Sequence, residues 1–288
     1  MLLQILINAI LLGGLYALMG IGFSLQWGIS GIINLSYGVM IILGSYISME
    51  FFNLFHLDPF ISMIVSGAIL FILGAGIYRT ILQHFLVKGL RIYTWVLTFA
   101  LNSVILNFMM KVWSANYRTI RLSYAGSNFQ IGFGYVPLVK VLAFIVAAVL
   151  IYLTYLFMMK TRIGKGIQAV ALDKEGAQAV GIDVQKMYLI NFSLGSALAG
   201  LTGSLWASIY SFSPYVSGLF VKKVFIIAIL GGLGNIWGAA AGGLLLGVAE
   251  TAGVVFVGSE WQEAIGLVIM IAVLVLRPYG LVGKKFFG

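Results

Sequence analysis

Residues 137–159, Pro-Leu-Val-Lys-Val-Leu-Ala-Phe-Ile-Val-Ala-Ala-Val-Leu-Ile-Tyr-Leu-Thr-Tyr-Leu-Phe-Met-Met, decide the fold. Their one charge, Lys140, falls near the start, where a lysine can snorkel to the interface. The run matches the roughly 20 apolar residues that carry a helix across a bilayer. Comparable runs at 5–27, 32–50, 60–79, 91–112, 188–212, 222–236, 238–257 and 263–277 predict eight or nine crossings in all. Two regions are blurred. Gly28, Gly31, Asn34 and Gly38 break 28–40, and Gly231-Gly232-Leu233-Gly234-Asn235 interrupts the short apolar run Val224 to Leu230. The expected fold is an all-α integral membrane bundle of about 8–9 transmembrane helices, some broken, forming one domain over residues 1–288.

Composition supports this. Hydrophobic residues make up 61% of the chain and charged residues 9%, with a mean hydropathy of +1.08. A soluble domain carries roughly 25% charged residues, so a water-facing globule is excluded. The net charge of +9 comes from 17 Lys and Arg against 8 Asp and Glu. In a membrane protein that excess reads as basic cytoplasmic loops, not as nucleic-acid binding. Without cysteine there are no disulfides and no thiolate metal sites. Met1 to Trp27 lacks the positive start of a signal peptide, runs longer than its apolar core, and reads as a first membrane helix.

Loop charges orient the bundle. Lys160, Arg162, Lys165, Lys174 and Lys186 place that loop in the cytoplasm, and the tail with Arg277, Lys284 and Lys285 follows. The loop with Arg79, Lys88 and Arg91 agrees. The acidic loops from Glu50 to Asp58 and from Gly258 to Glu263 fall outside, as does the N-terminus. One loop conflicts: Lys111, Arg118 and Arg121 are basic, yet alternation puts them outside. The chain also holds 36 glycines, and Gly195, Ala199, Gly203 and Gly234, Gly238, Gly242 recur at four-residue spacing. Such strips let helix backbones approach closely in lipid.

Enzyme signatures are missing. His56 and His84 lie in separate loops, and Gly283-Lys284-Lys285 lacks the glycine that a Walker A loop needs. Gly232-Leu233-Gly234 lacks the third glycine of a dinucleotide turn. No cofactor, metal site or catalytic residue is expected. Glu250 is the one acid well inside a span and is expected to reach toward an interface, while Lys140 and Lys222 sit near span ends. With so few ionisable groups at depth, the driving energy must enter from elsewhere. Asn34, Ser36, Tyr37, Asn102, Asn107, Asn191 and Asn235 are polar at membrane depth. They serve either inter-helix hydrogen bonds or a polar path, and Asn34 and Asn235 sit where broken helices free backbone groups.

Residues 161–187 form a structured polar loop. Asp173 is a candidate N-cap, Gly181 a candidate helix stop, and Ala177 and Val180 share a face. Such a helix either lies on the membrane or docks into a partner's groove.

Glu175-Gly176-Ala177-Gln178-Ala179-Val180-Gly181-Ile182-Asp183 resembles the coupling loop of ABC-importer permeases. Ile33-Asn34-Leu35-Ser36-Tyr37-Gly38 resembles a stretch of the branched-chain amino acid permeases. Ala197 to Gly203, Gly231 to Gly238, Gly13 to Leu18 and Arg277 to Leu281 look like further segments of that family, in order along nearly the whole chain. Two positions depart from the pattern. Gly176 replaces the usual small residue after the glutamate, and Ser36-Tyr37 stands for an Ala-His pair. The resemblance implies a permease in the bacterial inner membrane. It would pair with a second related permease, two cytoplasmic ATP-binding subunits and an extracytoplasmic substrate-binding protein. The expected solute is a branched-chain amino acid or a similar small polar molecule, urea and short amides included. Asn34, Ser36, Tyr37, Asn102, Asn191, Gly232, Gly234 and Asn235 are the candidate path, and Asp173, Glu175, Ala177, Gly181 and Ile182 the candidate coupling residues. The alternative is a secondary transporter or channel that acts without an ATPase.

Overall fold

The computed structural model describes residues 2–90, 92–131, 134–277 and 280–282. Arg91, Lys284 and Lys285, used above for orientation, lie outside the described residues, as do Pro278 and Tyr279 of the closing motif. Nine helical segments among the described residues are long and apolar enough to cross a membrane. They are α1 (Leu2–Ser30), α2 (Tyr37–Phe55), α3 (Pro59–Ile77) and, after a π-helical turn at Tyr78–Leu82 and α4 (Gln83–Val87), α5 (Tyr93–Trp113). A β-hairpin, β1 (Asn128–Ile131) and β2 (Gly134–Pro137), leads into α6 (Leu138–Lys160). Two short helices, α7 (Arg162–Leu172) and α8 (Lys174–Ala179), precede α9 (Val184–Ile209), α10 (Ser217–Gly231), α11 (Ile236–Phe256) and α12 (Gln262–Leu276).

The chain alternates between two ends of the bundle, one carrying α7 and α8 and the other the β-hairpin. Gly13 faces Leu244, Gly243 faces Ala17 and Gly28 faces Gly234, so α1 runs antiparallel to α11. Gln4 Nε2 donates to Tyr135 O, which sets the start of α1 at the hairpin end. Both glycine strips mark close approaches. A Cβ on Gly203 would sit 1.9 Å from Ile41 O, and one on Gly238 would sit 2.0 Å from Gly231 O. Serines stitch the α2–α3–α9 core, where Ser45 Oγ donates to Gly203 O and Ser66 Oγ to Gly200 O. In lipid these contacts replace the hydrophobic drive for helix association.

Several boundaries differ from the sequence reading. The helix expected over 32–50 begins at Tyr37, because residues 31–36 leave the helix of α1. The Tyr37 hydroxyl and Gly195 O both border Gly22, and Gly195 lies eleven residues into α9, or about 17 Å at the helical rise per residue. So α2 starts inside the bundle and not at its surface. The span expected over 222–236 is α10, displaced to Ser217–Gly231, and the Gly-rich break is the turn into α11.

Candidate functional site

Two features stand out, a buried polar network at the α1–α2 break and the α7–α8 loop. At the break, Asn34 Nδ2 donates to Gln26 Oε1 at 3.0 Å. Asn34 Oδ1 accepts from Ser36 N at 3.0 Å and from Ser36 Oγ at 2.6 Å. This Asn side chain turn satisfies backbone that the interrupted helix frees. Gln26 Nε2 continues the network to Phe192 O at 2.8 Å, and Asn191 Nδ2 donates to Leu25 O at 3.0 Å. Asn34, Ser36, Tyr37 and Asn191 are fully buried and gather between α1, α2 and α9. Among the described residues the Tyr37 hydroxyl and Asn191 Oδ1 have no hydrogen-bond partner. Buried polar atoms are nearly always paired, so this seam is unusual.

The second break sits at the same depth on another face of α1. Gly232 and Gly234 have φ of +89° and +76°, backbone that glycine adopts without strain. Gly234 N donates to Ser24 Oγ at 3.0 Å. Asn235 Oδ1 caps α11 by accepting from Gly238 N at 3.1 Å, and its Nδ2 reaches Val282 O. Asn102 lies apart, half-buried on the outer helix α5. The break residues thus form two groups flanking the end of α1, with Asn102 in neither.

Glu250 is only 1% exposed and is enclosed by protein groups. Lys223 Nζ meets both its oxygens at 2.5 and 2.6 Å, while Tyr16 OH and Gln262 Nε2 each donate to Oε2 at 2.8 Å. One carboxylate therefore joins α1, α10, α11 and α12. Lys223 was absent from the sequence reading, because nothing in local spacing pairs it with a residue on another helix. Lys222, its neighbour, makes an exposed ion pair with Glu263 at 2.9 Å. Lys140 is half-buried, with Nζ 3.4 Å from Asn8 Oδ1 and over the Tyr210 ring.

The loop is built from caps. Thr161 Oγ1 accepts from Gly164 N at the start of α7, Asp173 Oδ1 from Glu175 N at the start of α8, and Asp183 Oδ1 from Lys186 N at the start of α9. Gly181 turns with φ of +84°, and Ile182 N closes back on Ala177 O at 2.9 Å. Asp173 as cap and Gly181 as stop agree with the sequence reading. The shared face does not hold: Ala177 is buried against the bundle, whereas Val180 is 76% exposed. Leu172, 73% exposed, stands out with it. Asp173, Glu175 and Gly181 are exposed beside them, and Ile182 is half-buried.

At the hairpin end, outside the spans, Tyr124 OH donates to Asp58. Burial first, and then that carboxylate, hold the Tyr124 hydroxyl above the usual tyrosine range.

A bundle of membrane-length helices carrying one capped polar loop defines a polytopic membrane protein. Residues 5–274 match the family described as branched-chain amino acid transport system / permease component, and the chain belongs to that family. It is 29% identical to the high-affinity branched-chain amino acid transport system permease protein BraD of Pseudomonas aeruginosa, over 98% of this chain and 96% of that one. It is 30% identical to the probable branched-chain amino acid transport permease protein LivH of Methanocaldococcus jannaschii, over 97% and 92%. Similarity extends at 23% to the permease protein LivM of Escherichia coli, over 93% and 67%. No solved structure matches. The chain is a multi-pass permease subunit of the cytoplasmic membrane, part of a multi-subunit transport system.

Proposed function

We propose that the whole chain acts as one permease domain of an ATP-driven importer for branched-chain amino acids or a similar small polar solute. In this reading it pairs with a second related permease. Of two cytoplasmic ATP-binding subunits, one docks on the α7–α8 loop, and an extracytoplasmic binding protein delivers the solute. One observation carries the docking: Leu172 and Val180 are aliphatic side chains held out into water on a capped loop. Leaving them uncovered costs apolar burial, and a partner's groove would recover it. Asp173 and Gly181 shape the loop, Ala177 and Ile182 seat it on the bundle, and Glu175 lies beside the contact.

For the path, we place Asn34, Ser36, Tyr37 and Asn191 together with the turn Gly232, Gly234 and Asn235 along the two breaks flanking α1. The mid-bundle start of α2 supports this, since irregular backbone at depth is tolerated where it lines a path or is buried in protein. Asn102 has no such geometric support.

The test is ATP-driven uptake by the chain co-reconstituted with its partner permease, its ATPase and the binding protein. Gly181→Pro cannot adopt the positive φ found there. It and Leu172→Asp/Val180→Asp are each expected to abolish uptake while the bundle stays folded. Retained ATP-driven uptake in both would refute the coupling assignment.

A further inference from the structure

Lys111, Arg118 and Arg121 sit at the hairpin end, against the rule that concentrates Lys and Arg on the opposite side. The fold holds their segment firmly. Arg118 N donates to Phe212 O at 2.8 Å and Phe212 N to Arg118 O at 3.0 Å, while Arg118 Nη2 donates to Trp113 O. Ile120 and Leu122 are buried, and Tyr124 is tied to Asp58. This strap crosses the inner helices: the Trp113 ring stacks on Tyr46, which also packs on Phe212. It therefore lies over Tyr46 of α2 and the segment that follows α9.

From the strap Tyr117, 68% exposed, and the exposed Arg118 and Arg121 face solvent. The Arg118–Phe212 pairing brings the turn bearing Tyr215, 64% exposed, to the same end. Neither arginine makes an ion pair among the described residues. The acids of that end are engaged or distant in sequence. Glu50 accepts from Trp113 Nε1, Asp58 caps α3 and holds Tyr124, and Glu263 pairs with Lys222, leaving Glu260 on the α11–α12 turn. Exposed arginine and tyrosine on a rigid scaffold are the chemistry of interface hot spots.

We propose that Tyr117, Arg118, Arg121 and Tyr215 form the docking surface for an acidic face of the soluble protein that delivers solute at this end. The proposal rests on the importer reading. Carboxylates of that partner would pair with the two guanidiniums, a geometry that arginine recognises bidentately.

The experiment titrates the binding protein that supports uptake by the wild-type assembly, reconstituted with its ATPase in phosphatidylcholine liposomes. With Arg118→Glu/Arg121→Glu, the half-saturating concentration of that protein is expected to rise about tenfold, in preference to any change in maximal rate. Arg118→Gln/Arg121→Gln, a milder change should reversal harm folding, is expected to shift it in the same direction. The wild-type value is expected to rise with salt and the variants' values to respond less. An unchanged half-saturating concentration in both variants overturns the docking surface. A shift seen only when phosphatidylglycerol is added also overturns it, and assigns the arginines to anionic lipid. Uptake by the wild type without any binding protein would instead sink the importer reading.

Discussion

Replacing Lys223 with methionine keeps most of the stem and removes the ammonium that meets both oxygens of Glu250. Tyr16 and Gln262 would still donate, but both to Oε2, so Oε1 would lose its donor. Removing one partner of a buried pair costs about 3–5 kcal/mol, because the other charge is left uncompensated. Glu250→Gln in the same background removes that stranded charge while its carbonyl can still accept from Tyr16 and Gln262. The double variant is therefore expected to lie within about 2 kcal/mol of wild type, since neutral replacement of both partners is often tolerated. The coupling between the two sites is the difference between the double variant and the sum of the singles. It can be read by unfolding purified protein in mixed micelles with increasing dodecyl sulfate, followed by far-UV circular dichroism. A Lys223→Met variant within about 1 kcal/mol of wild type, or strictly additive singles, would refute the view that this pair is a coupled, desolvated unit.

Two other outcomes follow from packing and pairing. Gly203→Val forces side-chain atoms into Ile41 O and is expected to cost about 3 kcal/mol or more in the same unfolding assay, at the upper end of overpacking. Tyr37→Phe removes a buried hydroxyl that has no partner, so stability should hold or rise by about 1 kcal/mol. Reduced uptake by a stable Tyr37→Phe protein would show the hydroxyl acting at another stage of transport, and a marked fall in stability would contradict its unpaired state.

Repeated apolar length made the membrane bundle readable, and local capping chemistry made Asp173 and Gly181 readable in the loop. Both signals are short-range. Where α2 begins was less legible, because Asn34 competes for Ser36 N and lets apolar Ile32 and Ile33 continue outside a helix. The helix α7 was missed as well. The helix reading began only at Asp173, although Ile163, Ile167 and Val170 recur at helical spacing. The burial of Ala177 against the exposure of Val180 depends on how the loop seats on α7 and α9, which a three-residue interval alone does not determine. Least legible was the carboxylate junction, where Tyr16 and Glu250 meet across 234 positions.

That junction bears on how the chain is made. Lys223 leaves the ribosome before Glu250, and the two belong to neighbouring helices joined by the turn at 232–235. Presented alone to lipid, either charge would oppose insertion by about 2.5–3.5 kcal/mol if held at mid-membrane. Presented as a neutralised pair of antiparallel helices, they enter with most of that opposition removed. Emergence of Glu250 from the ribosome is thus the point at which Lys223 gains its counter-charge, and a nascent chain stalled before it presents that lysine unpaired.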